Sequence, residues 1–322
     1  MSKETVANTL PVQGGLETKM KIAHVLTRFS PEENPGGVER VVEELASRQA
    51  KDHEVEIICR NQFDDDSEES YKGIEVRRAA TSDISGLRTL SSLFSMRKLI
   101  KNSEADVFHI HDWSPYLNYM AAGEPGHSIL TLHNRAFSSF GRFFQNISIS
   151  RSGLTSVVSQ SIADRLDYNV DVIPNGTDLG RFSPQESEGY YLFAGNLIKG
   201  KGITELTEVW KDDWPTIKVA GSGPLRDEVS EKDNIEFLGE VPYTDMPELL
   251  GHSEALILPS RSEGFGLVWA EAIASGKPVL ATKTGIGAEI PEKCGVIIEP
   301  GYEEDGLSEG LEKLIDSDFD SN

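Results

Sequence analysis

The sequence predicts an α/β fold made of two doubly wound, parallel-sheet domains that face a cleft. Short apolar runs typical of buried strands alternate with stretches of helical spacing, from Met20 onward and again from Tyr190 onward. Strands that alternate with helices form a parallel sheet, and such sheets bind ligands at the carboxyl ends of their strands. The length of 322 residues is sufficient for a hydrophobic core in each of two domains.

The domain bounds follow from where this alternation stops and starts again. Residues 1–19 are polar and show no period, so we expect a disordered extension there. We place the first domain at 20–184 and the second at 185–322, because Pro174 and Pro184 bracket the stretch that joins the two series.

The charge balance limits the kinds of partner that the protein can have. With 53 acidic against 31 basic residues, the formal net charge is −22. Such a charge repels nucleic acid and anionic lipid on average, so we expect no nucleic-acid binding, although a local basic cleft for a diphosphate is compatible with it. The acidic residues are spread over the whole length, which is also typical of proteins that stay dissolved at high salt.

The sequence shows no membrane-spanning or export segment of the usual kind. No apolar run approaches the ~20 residues that a bilayer-spanning helix needs, and the N-terminal stretch lacks an apolar centre. We therefore expect a cytoplasmic protein. The two cysteines, Cys59 and Cys294, lie in different halves without metal-ligand spacing, so we expect buried thiols rather than a disulfide or a zinc site.

Most of the chemistry is carried by Ser262–Gly276, which we call the two-glutamate segment. A strand-like run precedes it, and Gly264 and Gly266 then lead into residues with helical spacing. A glycine-rich turn at a helix N-terminus lets a ligand approach the backbone, and the free N–H groups favour phosphate oxygens. Glu263 and Glu271 would be ~12 Å apart along a helix axis, so they suit two ends of an elongated ligand rather than one atom.

A second glycine pair, Gly36 and Gly37, opens a predicted helix in the first domain. Its apolar face consists of Val38, Val41, Val42, Leu45 and Ala46. A glycine pair before a helix is more often a tight turn than a phosphate site, so this pair indicates a ligand only in combination with other motifs.

Three histidines lie at the ends of predicted strands in the first domain. His109 and His111 point to the same side of one strand, but no third ligand follows at a metal-binding spacing, so we predict no metal site. We expect one of them at the cleft rim and the other in the core. His133 ends the next strand, where parallel sheets place ligand residues, and it either contacts a ligand or bonds a loop edge.

An aromatic and basic stretch follows His133. Its members are Phe137, Phe140, Phe143 and Phe144, with Arg135 and Arg142 beside them. The stripe offers a contact surface for a lipid tail or for the membrane interface. The alternative, which we favour, is a helix that packs these rings on the core.

Together these motifs resemble those of the retaining GT-B glycosyltransferases, particularly glycosyltransferase family 4 (group 1). The stretch PSRSEGFGLVWAEAIASGKPVLAT is similar to the family's signature for binding a nucleotide sugar. Gly36–Arg40 matches its GGxER form, and Asn175, Gly176, Asp178 and Phe182 match the NGxDxxxF connection between its domains. The resemblance implies the GT-B architecture, with the acceptor on the first Rossmann-like domain and the nucleotide sugar mostly on the second.

The resemblance also implies roles for individual residues. Glu263 would contact the transferred hexose, His133 the sugar near the reacting carbon, and Lys201 the diphosphate, so these three are the predicted catalytic residues. Glu271 would bind the ribose. The predicted donor-binding residues are Gly36, Gly37, Asn196, Lys199, Lys201, Gly221, Gly223, Leu238, Gly264, Phe265, Gly266, Leu267 and Glu271. No metal and no cofactor is predicted, since the nucleotide sugar is the substrate.

The chain departs from the family pattern in two places. Asn196 stands where the family usually has an arginine, so a neutral amide replaces a charge, and Lys199 is the cation placed to compensate. After its last predicted helix the chain reaches Asn322 without the one or two further helices that the family normally adds, which bears on domain closure.

The predicted function is the transfer of a hexose, with retention of configuration, from a nucleotide-diphosphate sugar to a glycan or lipid-linked acceptor. Cell-surface polysaccharide or glycoprotein glycan assembly would use such a step, and a lipid-linked acceptor would bring the protein to the inner face of the membrane. Two alternatives stay open: a nucleotide-sugar epimerase of the same fold, and a catalytically silent partner of another transferase, which Asn196 motivates. The base, sugar, acceptor, linkage and oligomeric state are not determined by the sequence.

Overall fold

The structure, a computed structural model, describes most of the chain. The described residues are 19–31, 35–60, 67–80, 88–123, 127–136, 138–229, 232–317 and 319, without the side chains of 88–93 and 113. The predicted extension at 1–19 falls outside this part of the chain except for its last residue, and so does Phe137.

The chain divides into two compact units, and its described strands form two sheets. The first unit contains Val38–Val157 with the residues up to Pro31, and the second contains Val158–Asn322 with the short stretch that ends at Gly37. Between these two units the main chain crosses at 157/158, and the domain bound at 184/185 stays a prediction. One reason for the crossing at this place is that Ser159 donates a 2.7 Å hydrogen bond to the Gly264 carbonyl, which attaches the stretch after Val157 to the second unit.

The first sheet has eight described strands in the order β3-β4-β2-β1-β5-β6-β7-β8. Strands β4, β2, β1, β5, β6 and β7 pair in parallel, as the alternation predicts. The strands are β1 (Lys21–Val25), β2 (Glu54–Arg60), β3 (Ser67–Tyr71), β4 (Ile74–Ala79), β5 (Val107–His111), β6 (Ser128–Leu132), β7 (Leu154–Val157) and β8 (Asp171–Val172).

Strand β3 pairs antiparallel with β4 and corrects one expectation. The acidic run Asp64–Glu69 by itself indicates a solvated loop. Its first three residues lie outside the described part of the chain, and the last three begin the edge strand Ser67–Tyr71. Lys72 and Gly73 join the strands, and both have positive φ, 50° and 81°. A two-residue loop of this kind has the twist of a tight hairpin, so the chain reverses there and pairs the acidic residues with β4.

Helices surround this sheet, and their apolar faces build its core. They are α1 (Gly37–Gln49), α2 (Arg88–Lys101), α3 (Trp113–Ala122), α4 (Ser139–Arg151) and the short α5 (Gln160–Ala163). Val42 and Ala46 of α1 are fully buried, in line with the predicted face, and pack with Ile57 of β2 in one apolar cluster.

The second sheet has six strands, all parallel, in the order β11-β10-β9-β12-β13-β14. They are β9 (Tyr190–Ala194), β10 (Ile217–Ala220), β11 (Ile235–Gly239), β12 (Ser253–Ile257), β13 (Val279–Thr282) and β14 (Gly295–Ile298). Numbered within the sheet, this is the doubly wound order 3-2-1-4-5-6, whose direction of winding reverses between β9 and β12.

The helices around the second sheet are α6 (Ile203–Val209), α7 (Met246–Gly251), α8 (Leu267–Ala274) and α9 (Glu304–Asp316). One helix that the sequence pattern predicts does not form in the described residues. After β10, where the pattern predicts a helix, the described residues form only the 3₁₀ turn Arg226–Glu228. Trp210 and Trp269 are among the largest fully buried side chains, and both belong to the apolar core of this unit.

The length and composition of the helices bear on whether the protein could cross a membrane. Among the described residues, none of the helices has both the length and the apolar character that crossing a bilayer requires.

Candidate functional site

The loops at the reversal of winding in the second sheet carry several of the predicted donor-binding residues. The loop after β9 begins at Gly195, and the loop after β12 leads into the two-glutamate segment. Because β9 and β12 are neighbours and both end at the same edge of the sheet, these loops flank one crevice. Doubly wound sheets bind their ligands at this position.

Lys201 and Glu263 form an ion pair that joins the two loops. The ammonium group donates to Glu263 Oε1, and the same oxygen accepts a 2.8 Å hydrogen bond from Ser260 Oγ. The two side chains are 20% and 11% exposed, so the pair is partly shielded from solvent and its charges are screened less than on an open surface. The structure thus brings two of the three predicted catalytic residues into contact.

Ser260 in turn is held by the neighbouring strand β13. Thr282 Oγ1 donates to the Ser260 carbonyl and lies 3.0 Å from Thr284 Oγ1. All three side chains are buried. This hydroxyl network fixes the direction from which Ser260 reaches the Glu263 carboxylate.

The turn that carries the two lysines is fixed by close packing. Lys199–Lys201 forms a 3₁₀ turn that ends at Gly202, whose φ is 69°. A Cβ at Gly202 would lie 2.6 Å from the Pro259 carbonyl oxygen, so only glycine fits. The Arg261 N–H also donates to the Gly200 carbonyl at 2.9 Å, which ties this turn to the loop after β12.

Gly266 opens helix α8 and allows the sharp entry into it. Its φ is 91°, and a Cβ there would lie 2.3 Å from Trp269 Cε3. Phe265 and Leu267 on either side are buried, and the Phe265 carbonyl accepts a 2.8 Å hydrogen bond from Ile286 N–H. The first N–H groups of α8 therefore lie next to the Glu263 loop, in the position that favours an anion.

Glu271, the second glutamate, is buried in α8 and not solvated. Its Oε1 accepts a 2.9 Å hydrogen bond from the Tyr243 hydroxyl. The Arg181 guanidinium stacks on the Tyr243 ring, 4.5 Å from its centroid. A buried carboxylate with this support is held in one orientation, which suits binding of a hydroxyl pair such as that of a ribose.

Gly221 and Gly223 follow β10 and contact the loop after β9. Their φ angles are 147° and 156°. A Cβ at Gly221 would lie 1.9 Å from the Gly195 carbonyl oxygen, and one at Gly223 would lie 2.5 Å from that of Leu197. Both glycines are therefore required for the two loops to approach each other.

Three other predicted donor residues lie around this crevice with accessible side chains. Asn196 and Lys199 are exposed, and Leu238 is half-buried at the end of β11. The ring of Phe237 lies under the Arg226 guanidinium, 3.8 Å from its centroid. An amide thus occupies the rim where the resemblance implies an arginine.

The glycine pair lies at the start of α1, in the short stretch that belongs to the second unit. Gly36 and Gly37 are exposed, and a Cβ at Gly36 would meet nothing within 4 Å. The loop before them is held by Glu39, which pairs with Arg28 at 3.2 Å and accepts from Ser30 N–H at 3.2 Å.

His133 follows β6 and is held by both its backbone and its ring. Asp112 Oδ1 accepts a 2.8 Å hydrogen bond from His133 N–H, and His133 Nε2 lies 3.0 Å from His111 Nδ1. The ring is buried, and burial lowers its pKa while Asp112 partly opposes the shift. His133 is thus a neutral hydrogen-bonding group near pH 7.

The histidines of β5 have a third partner that spacing does not show. His24 of β1 lies opposite His109 in the parallel register, and one ring nitrogen each of His24, His109 and His111 fall within 4.8 Å of one another. His111 is buried and His109 half-buried, while the predicted place of one of them at the cleft rim stays a prediction. His24 is fully buried, and burial lowers its pKa to about 4.

The interpretation of the aromatic stretch as a helix that packs its phenylalanine rings on the core is wrong for Phe140 and Phe143. Phe140 and Phe143 of α4 are 71% and 61% exposed. The helix instead buries Gly141, Gln145, Ser148 and Ile149. A helix of mixed composition can pack through small and polar residues when a side chain such as Gln145 finds backbone partners, which it does at Asn134 and Ala136.

Sequence reasoning missed four side chains that position the predicted ones. Ser260, Tyr243, His24 and Gln49 contact predicted site residues or their partners. Ser260 could have been found, because it lies shortly before Glu263 at the end of the strand-like run. The other three depend on which strands and helices are neighbours, and no local pattern reveals that.

Comparison with known proteins identifies the family. Residues 35–181 match the family described as Glycosyltransferase Family 4, and residues 178–322 match that described as Glycosyl transferases group 1. The two matches together run from the glycine pair to the end of the chain. The protein is a glycosyltransferase of group 1 with the GT-B fold.

Individual relatives agree with this assignment. An uncharacterized glycosyltransferase of Methanocaldococcus jannaschii is 29% identical over 304 residues, covering 88% of this chain and 86% of the relative. The O-antigen chain mannosyltransferase of Salmonella typhimurium is 29% identical over 196 residues, covering 55% of this chain and 56% of the relative.

Solved structures show the same fold at low identity. The sucrose-phosphate synthase of Thermosynechococcus elongatus has a TM-score of 0.78 at 18% identity, covering 92% of this chain and 89% of the other. Anabaena HepE, solved with UDP and glucose, has a TM-score of 0.72 at 20% identity, covering 92% and 90%.

Proposed function

We propose that this glycosyltransferase transfers a hexose from a nucleotide-diphosphate sugar to a hydroxyl of a glycan or lipid-linked acceptor, with retention of configuration. The observation that carries the proposal is the Lys201–Glu263 pair at the reversal of winding, beside the N-terminus of α8. A cation, a carboxylate and a helix N-terminus beside one crevice suit a sugar diphosphate, which is an anion joined to a polyol.

In this reaction the bond from the anomeric carbon to the diphosphate oxygen breaks, and a bond to the acceptor oxygen forms on the same face. The acceptor hydroxyl loses its proton to the departing diphosphate. The electron pair of the broken bond stays on the diphosphate oxygen, so negative charge grows there in the transition state, where Lys201 and the N-terminus of α8 stabilise it. Glu263 binds the hexose hydroxyls, and Glu271 binds the ribose.

Lys199 is a second source of positive charge for binding the diphosphate, in addition to Lys201. Lys199 lies on the same 3₁₀ turn as Lys201, and its side chain is exposed. It supplies the charge that Asn196 does not, so the proposed site binds its diphosphate through side chains and needs no metal or further cofactor.

The acceptor class is proposed from the relatives and from one surface. One relative is named as an O-antigen chain mannosyltransferase, and another as a putative teichuronic acid biosynthesis glycosyltransferase, both polysaccharide functions. Phe140 and Phe143 expose two rings beside Arg142 on α4. An apolar and basic surface suits an acceptor that carries a lipid tail at the membrane interface.

A binding screen tests the sugar-donor site. The purified protein is melted in high salt with UDP-, GDP- and ADP-sugars, and one nucleotide class should raise the melting temperature. Glu271→Ala should remove this rise, because it deletes the proposed ribose ligand. The control Glu309→Ala changes an exposed glutamate of α9 and should keep it.

Kinetics with the donor so identified test the chemistry. Lys201→Met should lower kcat about 100-fold, because it removes charge stabilisation at the leaving group. Lys199→Met should mainly raise KM for the donor. Free nucleoside diphosphate released only when acceptor is present excludes an epimerase. Donor binding without turnover, restored by Asn196→Arg, would instead indicate a silent partner.

A further inference from the structure

Four side chains of the first unit form a continuous series of polar contacts from the end of α1 to the end of β6. Gln49 Oε1 lies 2.8 Å from His24 Nε2, and His24 Nδ1 lies 3.1 Å from His111 Nε2. His111 Nδ1 lies 3.0 Å from His133 Nε2. We call this series the ring chain. Its three imidazoles are buried, and Gln49 is half-buried.

The rings of this chain meet edge to edge. The centroids of His24 and His111 are 5.4 Å apart with planes 20° apart, and those of His111 and His133 are 5.3 Å and 32° apart. Each centroid separation equals the N···N distance plus about two ring radii, so ring centres and nitrogens lie nearly on one line. A lone pair on one ring therefore faces an N–H on the next, as in a hydrogen bond.

This geometry fixes the tautomers in succession. A neutral imidazole has one N–H, so it donates from one nitrogen and accepts at the other. Gln49 presents its carbonyl oxygen, which requires His24 to donate from Nε2. His24 Nδ1 then accepts from His111 Nε2, and His111 Nδ1 accepts from His133 Nε2. His133 is left with N–H at Nε2 and a lone pair at Nδ1.

The last atom of the chain is a buried acceptor. His133 Nδ1 has no hydrogen-bond partner within the part of the chain that the structure describes. An unsatisfied buried polar atom costs about 1–3 kcal/mol, and a ligand group that donates to it removes this cost. A phosphate oxygen cannot do so, because it is itself an acceptor.

We propose that Gln49, His24 and His111 are positioning residues that hold His133 as its Nε2–H tautomer, so that Nδ1 accepts a hydrogen bond from a hydroxyl of the sugar substrate. The proposal rests on the proposed function, because it names the substrate group that His133 contacts. The orientation of one amide at the end of α1 thus determines what a histidine three rings away can recognise.

Burial keeps the imidazoles of the ring chain neutral. Each ring therefore influences the next through the position of its proton and not through a charge. Burial lowers the pKa of His24 to about 4 and that of His109, the ring beside the chain, to about 3. Burial also lowers the pKa of His111 and His133. The other titratable group at the end of the chain is Asp112, whose pKa burial raises.

A metal ion would use the same atoms and is therefore an alternative that the experiment must exclude. The group of His24, His109 and His111 is close enough to hold one. The metal would need a lone pair from one ring nitrogen of His24 and from one of His111, and every nitrogen of these two rings already takes part in a contact of the ring chain. Bound metal and the ring chain thus exclude each other.

The tautomers can be read directly by long-range ¹H–¹⁵N spectra of protein labelled at its seven histidines. We expect His133 to show the pattern of an Nε2–H imidazole at pH 7. Gln49→Glu keeps an acceptor at the same place and should preserve this pattern. Gln49→Met removes this acceptor and should give a mixture of tautomers at His133, although His133 itself is unchanged. The matched control is Gln160→Met, which replaces an exposed glutamine that is not part of the ring chain. It should leave the His133 spectrum unchanged.

Turnover gives a second measurement. Gln49→Met should lower kcat about 10-fold, the usual effect of losing a positioning partner, and Gln49→Glu should restore most of it. Two results would overturn the proposal: an Nδ1–H pattern at His133 in the wild type, or stoichiometric zinc in the purified protein. The spectra need no turnover, so the tautomer of His133 can be measured even if the protein uses none of the donors and the proposed function fails. If the protein does turn over a donor but the spectrum of His133 is unchanged in Gln49→Met, the ring-chain proposal is refuted and the proposed function stands.

Discussion

At the scale of single residues, the protein buries neutral histidines where a sheet normally buries aliphatic side chains. His24 lies in the middle of the first sheet and is fully buried, with Gln49 and His111 as its hydrogen-bond partners. Those two contacts satisfy both ring nitrogens only while the ring is neutral, because a protonated ring cannot accept. Folding therefore favours the neutral form.

A pH dependence of stability follows from this. The pKa of His24 is about 4 in the folded protein, whereas the ordinary value of 6.5 applies to the unfolded chain, so between these values the unfolded chain binds the extra proton. The stabilisation is present above pH 6.5 and is lost as the pH falls toward 4. We expect the free energy of unfolding in urea to drop by about 2 kcal/mol between pH 7 and pH 5 through His24 alone.

The comparison variant for this pH effect is His24→Gln, which removes the titrating group. Its stability should fall less between pH 7 and pH 5 than that of the wild type. His252→Gln, at a half-exposed histidine outside the ring chain, should keep the full drop. An equal drop in all three proteins would show that other groups cause it.

At the scale of elements, helix α8 shows how one backbone angle places a site. Gly266 combines a φ of 91° with a Cβ position only 2.3 Å from Trp269 Cε3. Both effects act against any other residue at this place. The sharp turn that results directs the first N–H groups of α8 toward the Glu263 loop.

Gly266→Ala should therefore destabilise the protein by about 2–4 kcal/mol, from the unfavourable φ and from overpacking against Trp269. It should also weaken donor binding, as measured by the thermal shift. Gly189→Ala is the matched control, because Gly189 has a φ of 81° but nothing within 4 Å of its Cβ position. It should cost about 1 kcal/mol. Similar costs for both would mean that Trp269 moves aside freely.

Elements of this kind were predictable because their signals are local. The strand before Glu263, the two glycines and the apolar helix face follow one another closely along the chain, and the structure shows them in the predicted order. The same holds for the alternation that predicts two parallel sheets, which the topology and the family confirm. The assigned roles of the site residues remain predictions.

The remaining features depend on contacts between distant parts of the chain. His24 meets His109 only because β1 pairs with β5 in one register, although the two strands are far apart in the sequence. Tyr243 reaches Glu271 because α7 and α8 are neighbours in the fold, and Tyr243 lies shortly before α7. The hairpin loop at Lys72 and Gly73 was a local signal that the charge of the run obscured.

At the scale of the whole molecule, the net charge of −22 is the largest electrostatic effect that no local contact balances. Like charges spread over a compact surface repel one another and destabilise the folded state. Salt shortens the range of this repulsion, with a Debye length of about 10 Å at 0.1 M and about 3 Å at 1 M.

We therefore expect the melting temperature to rise between 0.1 M and 1 M KCl, by about 2–4 °C for each 1 kcal/mol of repulsion that the salt screens. Differential scanning fluorimetry measures it. Tetramethylammonium chloride at equal ionic strength should give a similar rise if screening is the cause. A rise with potassium alone would point to specific ion binding, and no rise in either salt would show that charge repulsion does not limit stability.

The hairpin at the edge of the first sheet has a consequence for association between copies of the chain. A long, flat edge strand offers free backbone groups with which another chain can pair, and this is how many β-sheets begin to aggregate. Here the edge strand is β3, with Glu68 and Glu69 exposed and Lys72 at its turn. Glu68 and Glu69 pair with Arg77 and Arg78 of β4. A second copy that added a strand at that edge would have to strip water from these paired charges, and this cost opposes edge-to-edge polymerisation.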